Sequence, residues 1–116
     1  MFNHAKTRQQ RSIPAIGEER AAEVADLFRL LGDTTRLRIV LACLEAPVSV
    51  SEIATRLDLS LSLVSHHLRL LRAAHIVRAE RQGKQVFYSA ADDHIRGLIA
   101  DMVDHVSETR SEDEHV

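Results

Sequence analysis

Four stretches of this chain have helical spacing of apolar residues, and two short segments of alternating polarity follow them. The alternating segments, 76–80 and 85–89, are joined by residues 81–84, and Gly83 suits the turn of a β-hairpin. The third and fourth helical stretches are short and are separated only by residues 58–59. Two short helices followed by a hairpin are the order of a winged helix-turn-helix. We therefore predict an α+β fold that is mostly α, with the hairpin as its wing.

Apolar spacing and helix-stopping residues predict five helices in all. Their predicted limits are 18–31, ended by Gly32; 34–45, ended by Pro47; a third capped by Ser49 or Ser51; a fourth from Ser60 to about Ala74; and a last from about Asp92 to Glu108. The length of 116 residues allows about one domain. We expect residues 1–16 to form a flexible N-terminal arm, 17–109 the folded domain and 110–116 a disordered acidic tail.

Composition excludes several classes of protein. No run approaches the roughly 18 to 20 apolar residues of a membrane span. The basic N-terminus has no apolar core behind it, so it is not a secretory signal. A single cysteine, Cys43, excludes a disulfide framework and a thiolate-rich metal site within one chain. We therefore expect a protein of the reduced cytoplasm that has no membrane partner.

The charge of this chain is segregated along the sequence. A formal net charge of −2 argues, taken alone, against a nucleic-acid binder. Between Ser60 and Gln85, however, five basic residues stand against Glu80 alone, whereas eight acids stand against two arginines from Asp92 onward. A basic middle and an acidic end indicate two surfaces with different partners.

The fourth helix and the hairpin carry the candidate DNA contacts. Because Val64, Leu68 and Leu71 face inward, polar side chains that can bond base edges or phosphates remain on the opposite face. The candidates are Ser60, Ser62, Ser65, His66 and Arg69 on the helix, with Arg81 and Lys84 at the wing tip for phosphate contact. The alternative is an ordinary amphipathic helix and hairpin with solvated charges.

The last helix carries a candidate metal site made of Asp92, His94, His105 and Glu108. His94 and His105 are eleven residues apart, which is about 16 Å along a straight helix and too far for one zinc ion. If two copies of the helix pack antiparallel about a two-fold axis, the first pair from one chain meets the second pair from the other. That arrangement gives two N/O sites per dimer, suited to Zn(II) or Co(II). The alternative is a set of exposed polar residues with no ligand.

The segment SLSLVSHHLRLLRAAHIVRAERQGKQVFYS resembles the ArsR/SmtB family of bacterial metal-responsive repressors. The similarity covers roughly residues 18–108 and is most specific in V-S-x-H-L, which begins at Val64, and in R-x-G-x-x-V-x-Y, which begins at Arg81. The resemblance implies a homodimer, paired through its N- and C-terminal helices, that binds an operator with dyad symmetry and leaves it when metal binds. Leu61 and Leu63 depart from the family pattern, and we expect them to change base preference, for instance toward thymine methyl groups.

The spacing D-x-H…H-x-x-E also resembles the zinc site between the last helices in the SmtB-like branch. The C-x-C arrangement of other branches is missing from residues 50–54, which argues against a thiolate site for arsenic, lead or cadmium. The resemblance further implies that the backbone carbonyl of His75 accepts a hydrogen bond from His105. This bond would connect the metal site to the fourth helix, which we call the reading helix because it carries the candidate base contacts. His4 in the arm is a weaker candidate ligand, which would extend coordination toward octahedral nickel.

We therefore predict a zinc-responsive repressor that binds operator DNA as a metal-free homodimer, is released by two shared zinc ions and has no small-molecule substrate. A nickel- or cobalt-sensing repressor of the same fold is the nearest alternative. A small metal-dependent hydrolase and a metal buffer without DNA binding would also use a cluster of His, Asp and Glu. The chain offers a hydrolase no pocket-building loops and no obvious general base beyond the ligands, and the basic helix and wing disfavour a buffer.

Overall fold

The computed structural model describes residues 15–115, and it describes side-chain surroundings for residues 15–110. In chain order the elements are α1 (Glu18–Leu31), α2 (Thr34–Ala42), β1 (Val48–Ser49), α3 (Val50–Leu57), α4 (Leu61–Ala73), β2 (Val77–Gln82), β3 (Gln85–Ala90) and α5 (Asp93–His115). The three strands form one antiparallel sheet in the order β1-β3-β2. Helices α3 and α4 with the β2–β3 hairpin confirm the predicted winged helix-turn-helix.

Side-chain caps fix where the inner helices begin. The Asp33 carboxylate accepts a hydrogen bond from the backbone N–H of Arg36 at the start of α2, at 3.0 Å. Ser49 caps α3 through the N–H of Glu52, and Ser60 caps α4 through the N–H of Leu63. Such caps satisfy backbone donors that have no partner inside the helix. Of the two serines that could cap the third helix, Ser49 does so.

Left-handed residues end both helices of the helix-turn-helix. Asp58 follows α3 with φ 57°, and His75 follows α4 with φ 60°. After α4 the N–H of His75 donates to the carbonyl of Arg72, and the N–H of Ile76 donates to that of Leu71. This pair of bonds is the Schellman motif, which normally places glycine at the left-handed position. The chain therefore turns from the reading helix into the wing through a non-glycine residue in a costly conformation.

The wing turns more tightly than its sequence predicts. Gln82 pairs with Gln85 and Arg81 with Val86, so only Gly83 and Lys84 remain in the turn. Gly83 has φ 66°, the positive value that a two-residue hairpin turn needs and that glycine adopts without steric cost. Arg81 consequently lies in β2, one residue pair before the end of the ladder.

The core lies between α2, α3, α4 and the sheet. Its members are apolar and almost free of solvent contact: Ile39, Val40, Cys43, Val48, Ile53, Ala54, Val64, Leu68, Leu71, Ile76, Val77 and Ile99. Val64, Leu68 and Leu71 are the three residues predicted to face inward from the fourth helix. Among the residues whose side-chain surroundings are described, α5 contributes Ile99 alone and α1 contributes no buried residue.

Besides the tighter hairpin, two helix ends and one additional strand differ from the sequence prediction. Helix α2 ends at Ala42 rather than near Glu45, because the chain leaves the helix where the Cys43 carbonyl accepts the N–H of Ala90 from the sheet. Strand β1 was not predicted, since two residues are too few to show alternation. Helix α5 continues to His115, so the disordered tail predicted for residues 110–116 is helical as far as His115. No glycine or proline follows Gly97 to stop it.

The outer helices α1 and α5 leave apolar side chains in contact with solvent. Phe28 of α1 is 56% exposed, and Met102 and Val106 of α5 are 50% and 61% exposed. An apolar cavity of about 480 Å³ opens between these helices. The predicted N-terminal arm, apart from Ala15 and Ile16, lies outside the described residues. None of the helices within residues 15–115 is both long and apolar enough to cross a bilayer.

Candidate nucleic-acid interface and metal ligands

The outer face of α4 carries the predicted DNA contacts. Ser62, His66 and Arg69 are exposed and lie at helical spacing opposite the buried stripe. Ser65 is half-buried at the side of this face. Ser60 stands just before the helix, where its oxygen accepts the Leu63 N–H at 3.1 Å. Its hydroxyl hydrogen remains available to donate to a phosphate.

The wing presents two cations near its tip. Arg81 and Lys84 are both exposed, one at the end of β2 and the other in the turn. No hydrogen bond or ion pair engages either side chain among the residues that the structure describes. Two long, solvated cations on a projecting hairpin suit contact with a phosphate backbone, which needs charge and reach rather than fixed geometry.

Two leucines border the reading face, by which we mean the outer face of α4 that carries Ser62, His66 and Arg69. Leu61 is 56% exposed and Leu63 is 39% exposed, on either side of Ser62 in the first turn of α4. Their exposure fits the expectation from the sequence that these two leucines influence base preference. Apolar side chains at this place can contact thymine methyl groups in a major groove.

A buried histidine stands behind the reading face. His67 is 9% exposed, on the same side of α4 as Val64 and Leu71. Its Nδ1 atom accepts a hydrogen bond from Nε of Arg36 at 3.3 Å. Burial is the main cause that lowers the pKa of His67, and the Arg36 charge adds to it. The contact between Arg36 and His67 was not predicted from the sequence. His67 follows Val64 by three residues and precedes Leu71 by four, however, so helical periodicity places it on the inward face.

The four candidate metal ligands all lie at or on α5, and all are exposed. Asp92 precedes the helix, and its Oδ1 accepts the N–H of Ile95 at 2.9 Å, which leaves Oδ2 without this constraint. His94 lies in the first turn, whereas His105 and Glu108 lie one turn apart near the other end. Within residues 15–110 of one chain, no group of three His, Cys, Asp or Glu side chains is placed to hold a metal ion.

His75 and Cys43 are the remaining residues singled out from the sequence. His75 is exposed, and among the described residues no hydrogen bond joins it to His105. Cys43 is fully buried, and burial raises the pKa of its thiol to about 12. A thiol that holds its proton this firmly is a poor metal ligand, and Cys43 is instead one of the residues of the buried core.

Comparison with known proteins identifies the family. The profile of "Bacterial regulatory protein, arsR family" matches residues 33–79, from the cap of α2 into β2. A transcriptional repressor SmtB homolog of Synechocystis is 36% identical over 91 residues, which are 78% of this chain and 69% of that protein. A cadmium resistance transcriptional regulatory protein CadC homolog of Staphylococcus aureus is 33% identical over 97 residues, which are 83% of this chain and 80% of the homolog.

A solved structure resembles the whole described fold. The homodimeric winged helix-turn-helix DNA-binding domain of Mycobacterium bovis Mb0332, a possible ArsR-family regulator, matches with a TM-score of 0.73 at 26% identity. The match covers 90% of this chain and 98% of that domain. The matched profile, the related repressors and the fold agree with one another. The chain therefore belongs to the arsR family of bacterial regulatory proteins, which are DNA-binding transcriptional regulators and not enzymes.

Proposed function

We propose that this protein is a zinc-responsive homodimeric repressor, which binds operator DNA without metal and is released when zinc binds between subunits. The observation that carries the proposal is that α5 presents both an exposed apolar face and two exposed pairs of candidate ligands. Both features are incomplete in a single chain. A second copy of the same helix would complete them together.

The apolar surface of α1 and α5 supports the homodimer. Phe28, Leu98, Met102 and Val106 are between 39% and 61% exposed and lie on neighbouring helices. Contiguous exposed apolar surface of this kind is typical of a protein–protein contact. The related Mycobacterium bovis domain is homodimeric, so we propose the same assembly here.

The chemistry of the α5 side chains supports zinc. Asp92 and His94 of one subunit, with His105 and Glu108 of the partner subunit, would supply two imidazoles and two carboxylates. A two-fold axis would repeat this set, giving two zinc ions per dimer. We further propose that the His75 carbonyl accepts a hydrogen bond from His105 when a metal orients that ring. Cobalt and nickel are the competing metals, since imidazole and carboxylate bind them as well.

The proposed DNA contacts lie on the reading face of α4 and at the tip of the wing. We propose that Ser60, Ser62, Ser65, His66 and Arg69 enter the major groove while Arg81 and Lys84 contact phosphates. Symmetry of the dimer then requires an operator with dyad symmetry. Because this partner is the cell's own DNA, we propose the cytoplasm as the site of action.

The direct test is a metal titration of the protein–DNA complex. The probe is a duplex that the metal-free wild-type protein selects from a random-sequence pool. Zinc is expected to release this duplex, and DNA should weaken zinc binding by the same factor. A His105→Ala variant should bind the duplex yet fail to leave it, while Asp101→Ala, an exposed change on the same helix, should respond normally.

Other outcomes of this titration identify which part of the proposal fails. If His105→Ala still leaves DNA on adding zinc, the ligand assignment is wrong. If cobalt or nickel releases the duplex at lower concentration than zinc, the proposed identity of the metal is wrong, whereas the proposed ligands are not contradicted. The absorption spectrum of the cobalt form separates four-coordinate from six-coordinate geometry and so tests for further ligands such as His4.

Removal of the Arg69 side chain tests the reading face. Arg69→Ala is expected to weaken binding to the selected duplex by about 5- to 150-fold, the range for a base contact made by arginine. Zinc affinity of the free protein should not change. Arg20→Ala removes the same charge from an exposed position on α1, which is not part of the proposed DNA-binding surface, and serves as the control. Equal affinity of the two variants would remove Arg69 from the interface.

A further inference from the structure

Arg36 joins three helices of the domain. Its Nη1 donates to the carbonyl of Leu30 at 3.2 Å, in the last turn of α1, where helix carbonyls lack partners of their own. Its Nε donates to Nδ1 of His67 on α4 at 3.3 Å. Its backbone N–H donates to the Asp33 carboxylate that caps α2. One guanidinium therefore connects the end of an outer helix to the rear of the reading helix.

This geometry selects one protonation state of His67. A ring nitrogen that accepts from arginine carries no proton, so the proton of the neutral imidazole lies on Nε2. An imidazolium has two donors and no acceptor, and it would place a second positive charge against Arg36. The charged or titratable groups that act on this ring are Arg36 and Asp33 of α2 and His66 of α4.

His67 is also placed to affect the reading face. It directly follows His66, and the centroids of the two rings are 5.5 Å apart. Ser65 precedes them on the flank of the same helix. A change in how His67 sits against α2 must therefore shift or rotate side chains that are proposed to meet DNA bases. Bidentate base contacts tolerate little displacement.

We propose that Arg36 and neutral His67 position the reading helix, so that acidification breaks their contact and weakens DNA binding. The proposal rests on the proposed reading face. Burial and the Arg36 charge favour the neutral ring in the folded protein. The contact is therefore intact above the ordinary histidine pKa of about 6.5 and is lost as the pH falls through the lowered pKa of His67.

The first experiment examines the contact without DNA. The nitrogen chemical shifts of the His67 ring in the metal-free protein should report Nε2 as protonated and Nδ1 as an acceptor at pH 7.5. In Arg36→Met the Nδ1 signal should move toward that of an imidazole free in water. A proton on Nδ1 in the wild-type protein would overturn the proposal.

The second experiment follows DNA affinity against pH in the presence of a chelator. Between pH 7.5 and 5.5, wild-type affinity for its selected duplex should fall relative to that of His67→Asn, by at most about tenfold. Asparagine is the conservative replacement, because its amide oxygen can accept from Arg36 and does not titrate. His66 is present in both proteins, so a pH dependence that comes from His66 alone appears in both profiles. Arg36→Met should bind more weakly at pH 7.5, with a flatter pH profile.

The two experiments separate the possible failures. Identical pH profiles of wild type and His67→Asn would overturn the positioning role while leaving the DNA-binding function intact. Failure of the wild-type protein to select any duplex would contradict the proposed DNA-binding face and this role together. Circular dichroism of each variant checks folding, and should Arg36→Met fail to fold, the comparison with His67→Asn still decides the question.

Discussion

The reading head, residues 33–90, and the outer pair of helices, α1 and α5, bury their apolar residues to different extents. Within residues 15–110, the reading head supplies 11 of the 12 residues of the buried cluster, whereas α5 supplies Ile99 alone and α1 supplies none. Yet both outer helices have an apolar stripe, which leaves Val24, Phe28, Leu98, Met102, Val103 and Val106 exposed. The reading head thus buries its own core within one chain, whereas the outer pair of helices exposes apolar side chains that a single chain does not cover.

This difference separates two kinds of stability. Burial in the reading head contributes to folding of each chain, independently of protein concentration. Burial at the outer pair depends on a second chain and is therefore linked to concentration by mass action. Substitutions in the two regions should consequently be distinguishable by how their effects vary with concentration.

The largest effect is expected inside the reading head. Leu68→Ala removes a side chain with 0% exposure and should lower the free energy of unfolding by about 3 kcal/mol, through lost burial and the cavity left behind. Urea denaturation followed by circular dichroism at several protein concentrations measures the change. Leu70→Ala is the matched control: this leucine is 37% exposed on the same helix, and its loss should be below about 1 kcal/mol. Equal losses would contradict the single-chain core.

The next effect should fall on assembly rather than folding. Met102→Asp places a charge on the exposed apolar face of α5, twice in a symmetric dimer, and should raise the dissociation constant at least about 100-fold. Sedimentation over a concentration series gives this constant. Asp101→Ala changes the neighbouring residue and should leave it within about threefold. A monomeric wild-type protein would contradict the dimer proposal outright.

The smallest effect should come from the join between α4 and the wing. His75 has φ 60°, so His75→Gly should raise the free energy of unfolding by about 0.5–1 kcal/mol, since glycine adopts this conformation freely. His75→Ala retains the steric cost and should give no such gain. Urea midpoints at one protein concentration suffice for both. A lower stability of His75→Gly would mean that the histidine side chain makes a contribution larger than the backbone cost.

The sequence predicts the order of elements because each helix has a clear apolar stripe and a cap or stop residue. Gly32 ends α1 where expected, and Ser60 caps α4. The end of α2 and strand β1 depend instead on pairing with β3, which joins residues about 40 positions apart in the chain. Local spacing carries no information about such contacts.

The candidate functional site also combines features that local spacing predicts with features that depend on contacts between distant residues. The outward position of Ser62, His66 and Arg69 follows from helical periodicity alone. The contact between Arg36 and His67 could not be predicted, because it joins two helices through polar side chains 31 residues apart. The candidate metal ligands follow from their spacing in the sequence, whereas their proposed assembly into one site needs a second chain.

The burial of Cys43 has a practical consequence for measuring the motions of this protein. The chain has one cysteine, which is 0% exposed and whose thiol pKa burial raises to about 12. Thiol-reactive dyes and spin labels attack thiolates that they can reach, so the native chain should resist labelling. A cysteine introduced at an exposed wing position such as Lys84 would then carry the label alone. Distances between the two wings of a dimer could be followed spectroscopically without first removing the natural thiol.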